Sequence, residues 1–221
     1  MLSSTFKILR KDIKSEIRNR YAVNSLLMFV IVTISIIRFA IGNEKIETEI
    51  LSGLLWIVIF FSAISGLARV FIKEEEKETS FALKLSSETN SIFLGKFFFN
   101  LILTYGLNIV ILILFIAITN FNIGNLSGFL ITVVLGNFGL VISSTIIAAI
   151  ISKANTKGTL YPVLAFPILL PLLLTVIDAT KLASGGEPTA NLMEDFQILA
   201  AYAVVVFVAS MMLFKFIWED V

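Results

Sequence analysis

Leu160-Tyr-Pro-Val-Leu-Ala-Phe-Pro-Ile-Leu-Leu-Pro-Leu-Leu-Leu174 carries three of the protein's four prolines, at Pro162, Pro167 and Pro171. They sit inside an uncharged run that extends to Ile177. In water an interior proline removes a backbone hydrogen bond and clashes with the preceding turn, at about 3 kcal/mol. In a membrane helix, neighbouring helices and Ser or Thr side chains can take up the freed carbonyls. Pro167 and Pro171 are one turn apart and so share a face. The stretch predicts a bent transmembrane helix with a deliberately weakened backbone, and the three prolines are its candidate conformational residues.

Working outward, the whole chain has the same character. It has 221 residues, of which 57% are hydrophobic, and a mean hydropathy of +0.96. A soluble domain is nearer 45–50% apolar, whereas a spanning helix needs roughly 20 apolar residues. The sequence therefore predicts an all-α integral membrane protein, one transmembrane domain over 1–221 with no soluble domain beside it. The spans are expected at about 22–41, 50–72, 92–119, 127–152, 160–178 and 196–217.

Residues 1–20 are expected to form an amphipathic helix rather than a signal peptide, because they are charged and lack an apolar core with a cleavage site. Leu2, Phe6, Leu9, Ile13 and Ile17 recur at helical spacing. Lys7, Arg10, Lys11, Lys14 and Arg18 occupy much of the rest. A basic face beside an apolar stripe suits the membrane interface and its anionic headgroups; docking on protein is the other reading. At the far end, Trp218 is placed as an interfacial anchor.

Charge placement sets the topology. Six spans put both termini on one side, and fourteen of the 17 Lys and Arg fall there; only Arg38, Lys45 and Lys181 fall on the other. The positive-inside rule then makes both termini cytoplasmic. Lys73-Glu-Glu-Glu-Lys-Glu-Thr-Ser80 and its continuation to Asn90 lie on that side too. Phe81, Leu83 and Leu85 are apolar residues in a segment that should be polar. They fit a short helix with a docking face, or a solvated charged run returning to the membrane. The segment from Ala179 to Asp195, with Gly185-Gly186-Glu187-Pro188, reads as a long irregular loop. Asn100 and Asn108 interrupt the third span and call for hydrogen-bonding partners on neighbouring helices.

Several chemistries are absent. The chain has no Cys and no His, which removes thiolate and imidazole ligands, Cys nucleophiles and His bases. No span carries an acidic residue near its middle, which argues against a proton-coupled carrier. No Gly-x-x-x-x-Gly-Lys-Ser/Thr phosphate loop is present. The residues thus fit a non-catalytic membrane subunit driven by another chain.

Four runs resemble those of a known family: Gly53-Leu-Leu-Trp56, Leu94-Gly-Lys96, Leu135-Gly-Asn-Phe-Gly139, and Pro162-x4-Pro167-x3-Pro171 with Phe166 before the middle proline. Over essentially its whole length the chain resembles the CcmB family, the haem exporter B permease subunit of the cytochrome c maturation ABC complex. The resemblance implies a type-2 ABC exporter permease in the bacterial cytoplasmic (inner) membrane. It implies a CcmA-like ATPase partner, CcmC-like and CcmD-like membrane subunits, and a CcmE-like haem chaperone contacted indirectly. ATP would be held by the ATPase and haem by partner subunits, with no cofactor in this chain. Segment 74–90 would hold the ATPase-coupling helix, with Glu78, Phe81, Leu83, Lys84 and Leu85 as candidate contacts. Family members often carry an Asp-Gly-x-Leu-Glu run and a proline there, whereas this chain reads Glu78-Thr-Ser-Phe-Ala-Leu-Lys84. The expected function is to couple ATP hydrolysis to haem export or to release of the haem-loaded chaperone. A permease subunit of another ABC exporter, for a lipid or drug, and a scaffold joining the ATPase to a haem-handling membrane partner remain alternatives. With only Met or Tyr available as axial ligands, the isolated chain is expected to bind no haem stoichiometrically.

Overall fold

The structure is a computed structural model that describes residues 2–18, 20–42, 44, 46–67, 69–76, 78–153 and 160–219. The side chains of residues 21, 22, 160–162 and 219 lie outside the description, which takes in that of Pro162. Lys45, Lys77 and Lys157 are also outside it. Among the described residues the chain forms helices and no strand. They are α1 (Leu2–Arg18), α2 (Tyr21–Ile41), α3 (Thr48–Leu67), α4 (Arg69–Glu76), α5 (Ser80–Ser86), α6 (Thr89–Thr119), α7 (Leu126–Ser152), α8 (Leu160–Ser184) and α9 (Met193–Glu219). A 3-10 turn, Thr189–Leu192, precedes α9. Six segments are long and apolar enough to cross a membrane, one each in α2, α6, α7, α8 and α9 and one over α3–α4.

Helix α7 is the pillar of the bundle. Most of its residues are buried, on nearly every face, and α3, α4, α6, α8 and α9 pack against it. Small residues let helix backbones approach closely, and Gly136 shows this directly. A methyl there would lie 2.5 Å from the Trp56 ring of α3 and 2.6 Å from Val176 of α8. The Trp56 indole N–H in turn donates to Thr180 Oγ1 at 2.8 Å. The polar interruptions of α6 also close on α7. Asn100 Nδ2 donates to Thr145 Oγ1 at 2.9 Å, and Asn108 Nδ2 donates to Asn137 Oδ1.

Helix α8 runs unbroken through Pro167 and Pro171. Both prolines face outward, while Ala165, Leu169, Leu172 and Val176 on the opposite side are buried. The expected long loop after it is largely absent. Helix α8 continues to Ser184, and Gly185 to Pro188 make a tight turn. Gly186 takes φ +86°, and Gly186 N–H and Glu187 N–H bond to the Ala183 and Leu182 carbonyls at 3.2 and 3.1 Å. This is the Schellman ending that glycine favours. Lys181, paired with Glu49 Oε1 at 2.6 Å, lies within the prolonged helix and not in a loop.

Helix α1 packs against α6 through Thr5, Ile8 and Asp12. Ile8 fits over Gly95, where an added methyl would lie 2.7 Å from its Cγ2. The helix is therefore docked on protein along one face. Leu2, Phe6 and Ile17 of its apolar stripe stay exposed on another.

Candidate functional site

The charged end of the bundle is organised around Lys96, about two turns into α6. Its side chain is 1% exposed. A buried ammonium is stable only with partners, and two carboxylates supply them. Lys96 Nζ lies 2.9 Å from Asp12 Oδ2 of α1 and 2.7 Å from Glu74 Oε1 of α4. Lys11 approaches the same Glu74 oxygen at 2.5 Å and Asp12 at 3.3 Å. Thr79 Oγ1, just before α5, donates to Glu74 Oε2 at 2.6 Å. One cluster thus ties together α1, α4, α6 and the start of α5. Burial alone would lower the Lys11 pKa; the Asp12 charge and the Glu74 hydrogen bond outweigh it and hold the ammonium above its ordinary value.

Backbone geometry reinforces the junction. Glu78 N–H bonds to Glu75 C=O at 3.1 Å and Thr79 N–H to Glu74 C=O at 2.9 Å, the Schellman pattern again. Here the left-handed position, φ +54°, is held by Glu78. The stretch lacks a glycine, and Glu78 takes the conformation that a glycine would adopt without strain.

The other end of α5 rests on Trp218. This residue is 1% exposed, so it is no interfacial anchor. It stacks on Phe214 at 5.3 Å and meets Phe71 of α4 at 5.7 Å, and that aromatic packing encloses it. The ammonium groups of Lys84 and Lys153 lie over its ring, at 5.7 and 5.0 Å from the centroid. Lys153, at the end of α7, also pairs with Glu75 at 2.6 Å. Partial burial, then the Lys153 charge, push the Lys84 pKa below its ordinary value against the pull of Glu75.

These anchors divide the candidate coupling residues. Leu83 is buried at 8%, away from the outward surface, and Lys84, half-buried, turns toward Trp218. Phe81 and Leu85 stand out at 69% and 75% exposed. They are four residues apart and share the free face of α5. Glu78 is exposed beside them. Lys7, Arg10, Lys14 and Arg18 are exposed along α1, whereas Lys11 is drawn into the Glu74 cluster.

In α8, Tyr202 of α9 donates its hydroxyl to the Ile168 carbonyl at 2.9 Å, beside Pro167 and Pro171. The same hydroxyl lies 2.8 Å from Ser143 Oγ of α7. Thr175 Oγ1 donates to the Pro171 carbonyl at 3.0 Å. Among the described residues no three His, Cys, Asp or Glu side chains gather as a metal site.

A family model described as CcmB protein matches residues 3–216. The chain belongs to the CcmB family. The match takes in five spans in full, nearly all of the sixth, and the Lys96 cluster. Membership makes the chain a multi-pass membrane component of the ABC transporter complex that serves cytochrome c maturation, with the permease role rather than the ATPase role. No curated protein matches the chain.

The ion cluster was missed in the sequence, although a signal existed. A lysine inside the first turns of an apolar span needs a partner, and Asp12 is one of only two acids, with Glu16, within the basic stretch of α1.

Proposed function

We propose that this CcmB-family chain transmits the closure of a separate CcmA-like ATPase to its spans through α5. Phe81 and Leu85 enter the ATPase surface; Glu74 and Trp218 hold the helix from below. The observation that carries the reading is this pair of large apolar side chains, left exposed on a helix otherwise anchored at both ends. Displacement of α5 acts through Glu74 on α1 and α6, and through Trp218 on α7 and α9. The outward prolines of α8 leave that helix the most compliant of the spans.

The work performed is haem export or release of the haem-loaded chaperone, and the chain's part is the same in both. CcmC-like and CcmD-like subunits are its membrane neighbours, and a CcmE-like chaperone acts on the far side. Haem is held by those partners, which fits a chain without His or Cys. The Lys and Arg distribution supports placing both termini and α5 in the cytoplasm, at the bacterial inner membrane.

The test is co-purification of the tagged chain with the ATPase for wild type and for Phe81→Asp with Leu85→Asp. Both side chains are exposed, so the variant should fold and unfold as wild type does. Loss of the ATPase from an intact membrane subunit supports the assignment. Full retention moves the coupling surface away from α5. An absence of ATPase with wild type overturns the coupling role itself.

A further inference from the structure

A cleft of about 1140 Å³ opens between α1, α4, α5 and α6. Its charges do not balance. Lys11 and Lys96 are taken up by Asp12 and Glu74, and Lys73 by Glu16 at 3.6 Å. Lys14, Arg18 and Arg69 remain on its wall without an ion pair among the described residues, and of the four lining carboxylates only Glu76 is not already paired with a lysine there. The deeper wall is apolar, formed by Leu26, Phe99 and Leu103 beside Gly66. Phe99, Leu103 and Glu16 also line a second, largely apolar groove of about 400 Å³. That groove continues along Ile17, Val23 and Ile102, between the α1–α2 junction and α6.

A cationic chamber that runs into an apolar groove on spanning helices matches one amphiphile chemistry. We propose that this is a binding site for an anionic phospholipid. Its headgroup phosphate sits among Lys14, Arg18 and Arg69, and an acyl chain lies along Ile102 and Val23. The ends of the spans put the three cations at headgroup depth, where each basic residue adds to anionic-lipid affinity. The site differs from general attraction to a charged surface because two of its cations come from α1 and the third from the start of α4. An occupying lipid would brace α1 against α4 beside the Glu74 cluster. The proposal stands apart from the transport reading and needs only the membrane placement.

The experiment measures unfolding of the full chain in phosphatidylcholine nanodiscs with an increasing fraction of phosphatidylglycerol. Wild type should gain stability with phosphatidylglycerol. Lys14→Gln with Arg18→Gln and Arg69→Gln should weaken the apparent affinity by about fivefold for each charge removed. Lys7→Gln with Arg10→Gln and Lys215→Gln removes the same charge outside the cleft and should leave the response in place. Equal loss in both triple variants would make the effect diffuse surface electrostatics and overturn the site. No response in wild type would do the same. An equal gain from free glycerophosphoglycerol would overturn it in favour of a soluble anion. Should the cleft variant not fold, Ile102→Trp, at an exposed position that fills the groove, carries the test. It should abolish the gain with all cations intact, and an unchanged gain would refute the lipid.

Discussion

Replacing Lys96 by Met tests whether the charged end is held by its ion cluster. Met keeps an unbranched side chain of similar reach while removing both ammonium contacts, at 2.9 Å to Asp12 and 2.7 Å to Glu74. Stranding a buried charge typically costs 3–5 kcal/mol. Lys11, which is 47% exposed, stays on Glu74 and within 3.3 Å of Asp12, so the expected loss is at the low end, about 3 kcal/mol. At about 2–4 °C per kcal/mol for a chain of this length, the unfolding temperature should fall by about 6–12 °C. The sharper arm is a double-mutant cycle. Asp12→Asn added to Lys96→Met removes the stranded carboxylate and should restore about 1–2 kcal/mol relative to Lys96→Met alone. The assay is thermal unfolding of the full chain in one fixed detergent or nanodisc. A fall within about 2 °C, or strict additivity of the two substitutions, would refute a structural role for the cluster.

Glu78→Gly should stabilise the protein by about 0.5–1 kcal/mol, because it removes a left-handed conformation that costs an L-residue about 1–2 kcal/mol; a lowered unfolding temperature would mean that the Glu78 side chain contributes more than its backbone costs. Gly136→Ala should destabilise by about 1–3 kcal/mol through overpacking, since its methyl meets Trp56 at 2.5 Å and Val176 at 2.6 Å. Gly106→Ala, where nothing lies within 4 Å, should instead be neutral or stabilising by up to about 1 kcal/mol, so equal losses at the two glycines would refute the packing argument. Purified full chain supplied with haem should show no Soret band at one haem per chain, and an absorbance titration checks this.

The spans were legible because each is an apolar run long enough to satisfy its own backbone. The shared face of Pro167 and Pro171 was legible because helical spacing places them one turn apart. Pairings between distant segments were not. Asp12, Glu74 and Lys96 read separately as a basic stretch, an acidic run and a span terminus, and only packing of α1 over Gly95 brings them together. Trp218 failed for the same reason: a tryptophan at a span end looks interfacial until Phe71 and Phe214 close over it. The segment from Ala179 looked irregular because its glycines read as a loop, whereas Gly186 and Glu187 bond back to Ala183 and Leu182 to close the helix, and Glu49, the partner of Lys181, lies elsewhere in the chain. Leu83 is a different case. It is two residues from Phe81 and two from Leu85, so on a helix it must point away from both. Treating the three as one surface ignored a constraint that the spacing already held.

Helix α5 shows why the ion cluster bears on the outward surface as well as on stability. It has seven residues, and isolated helices shorter than about 12–15 residues are marginal in water. Its order must come from its attachments: Thr79 on Glu74, Leu83 in the core, and Lys84 over Trp218. Glu74 is shared between Thr79 and the two lysines, so its position depends on Lys96 even though the ion pairs of Lys96 are to α1 and α4 and not to α5. Lys96→Met should therefore loosen the presentation of Phe81 and Leu85 and raise amide exchange in Ser80–Ser86 more than in the buried middle of α7. Uniform change across both helices would refute that route. Increased exchange confined to α5 and α1 would place the connection between the docking face and the bundle at Glu74.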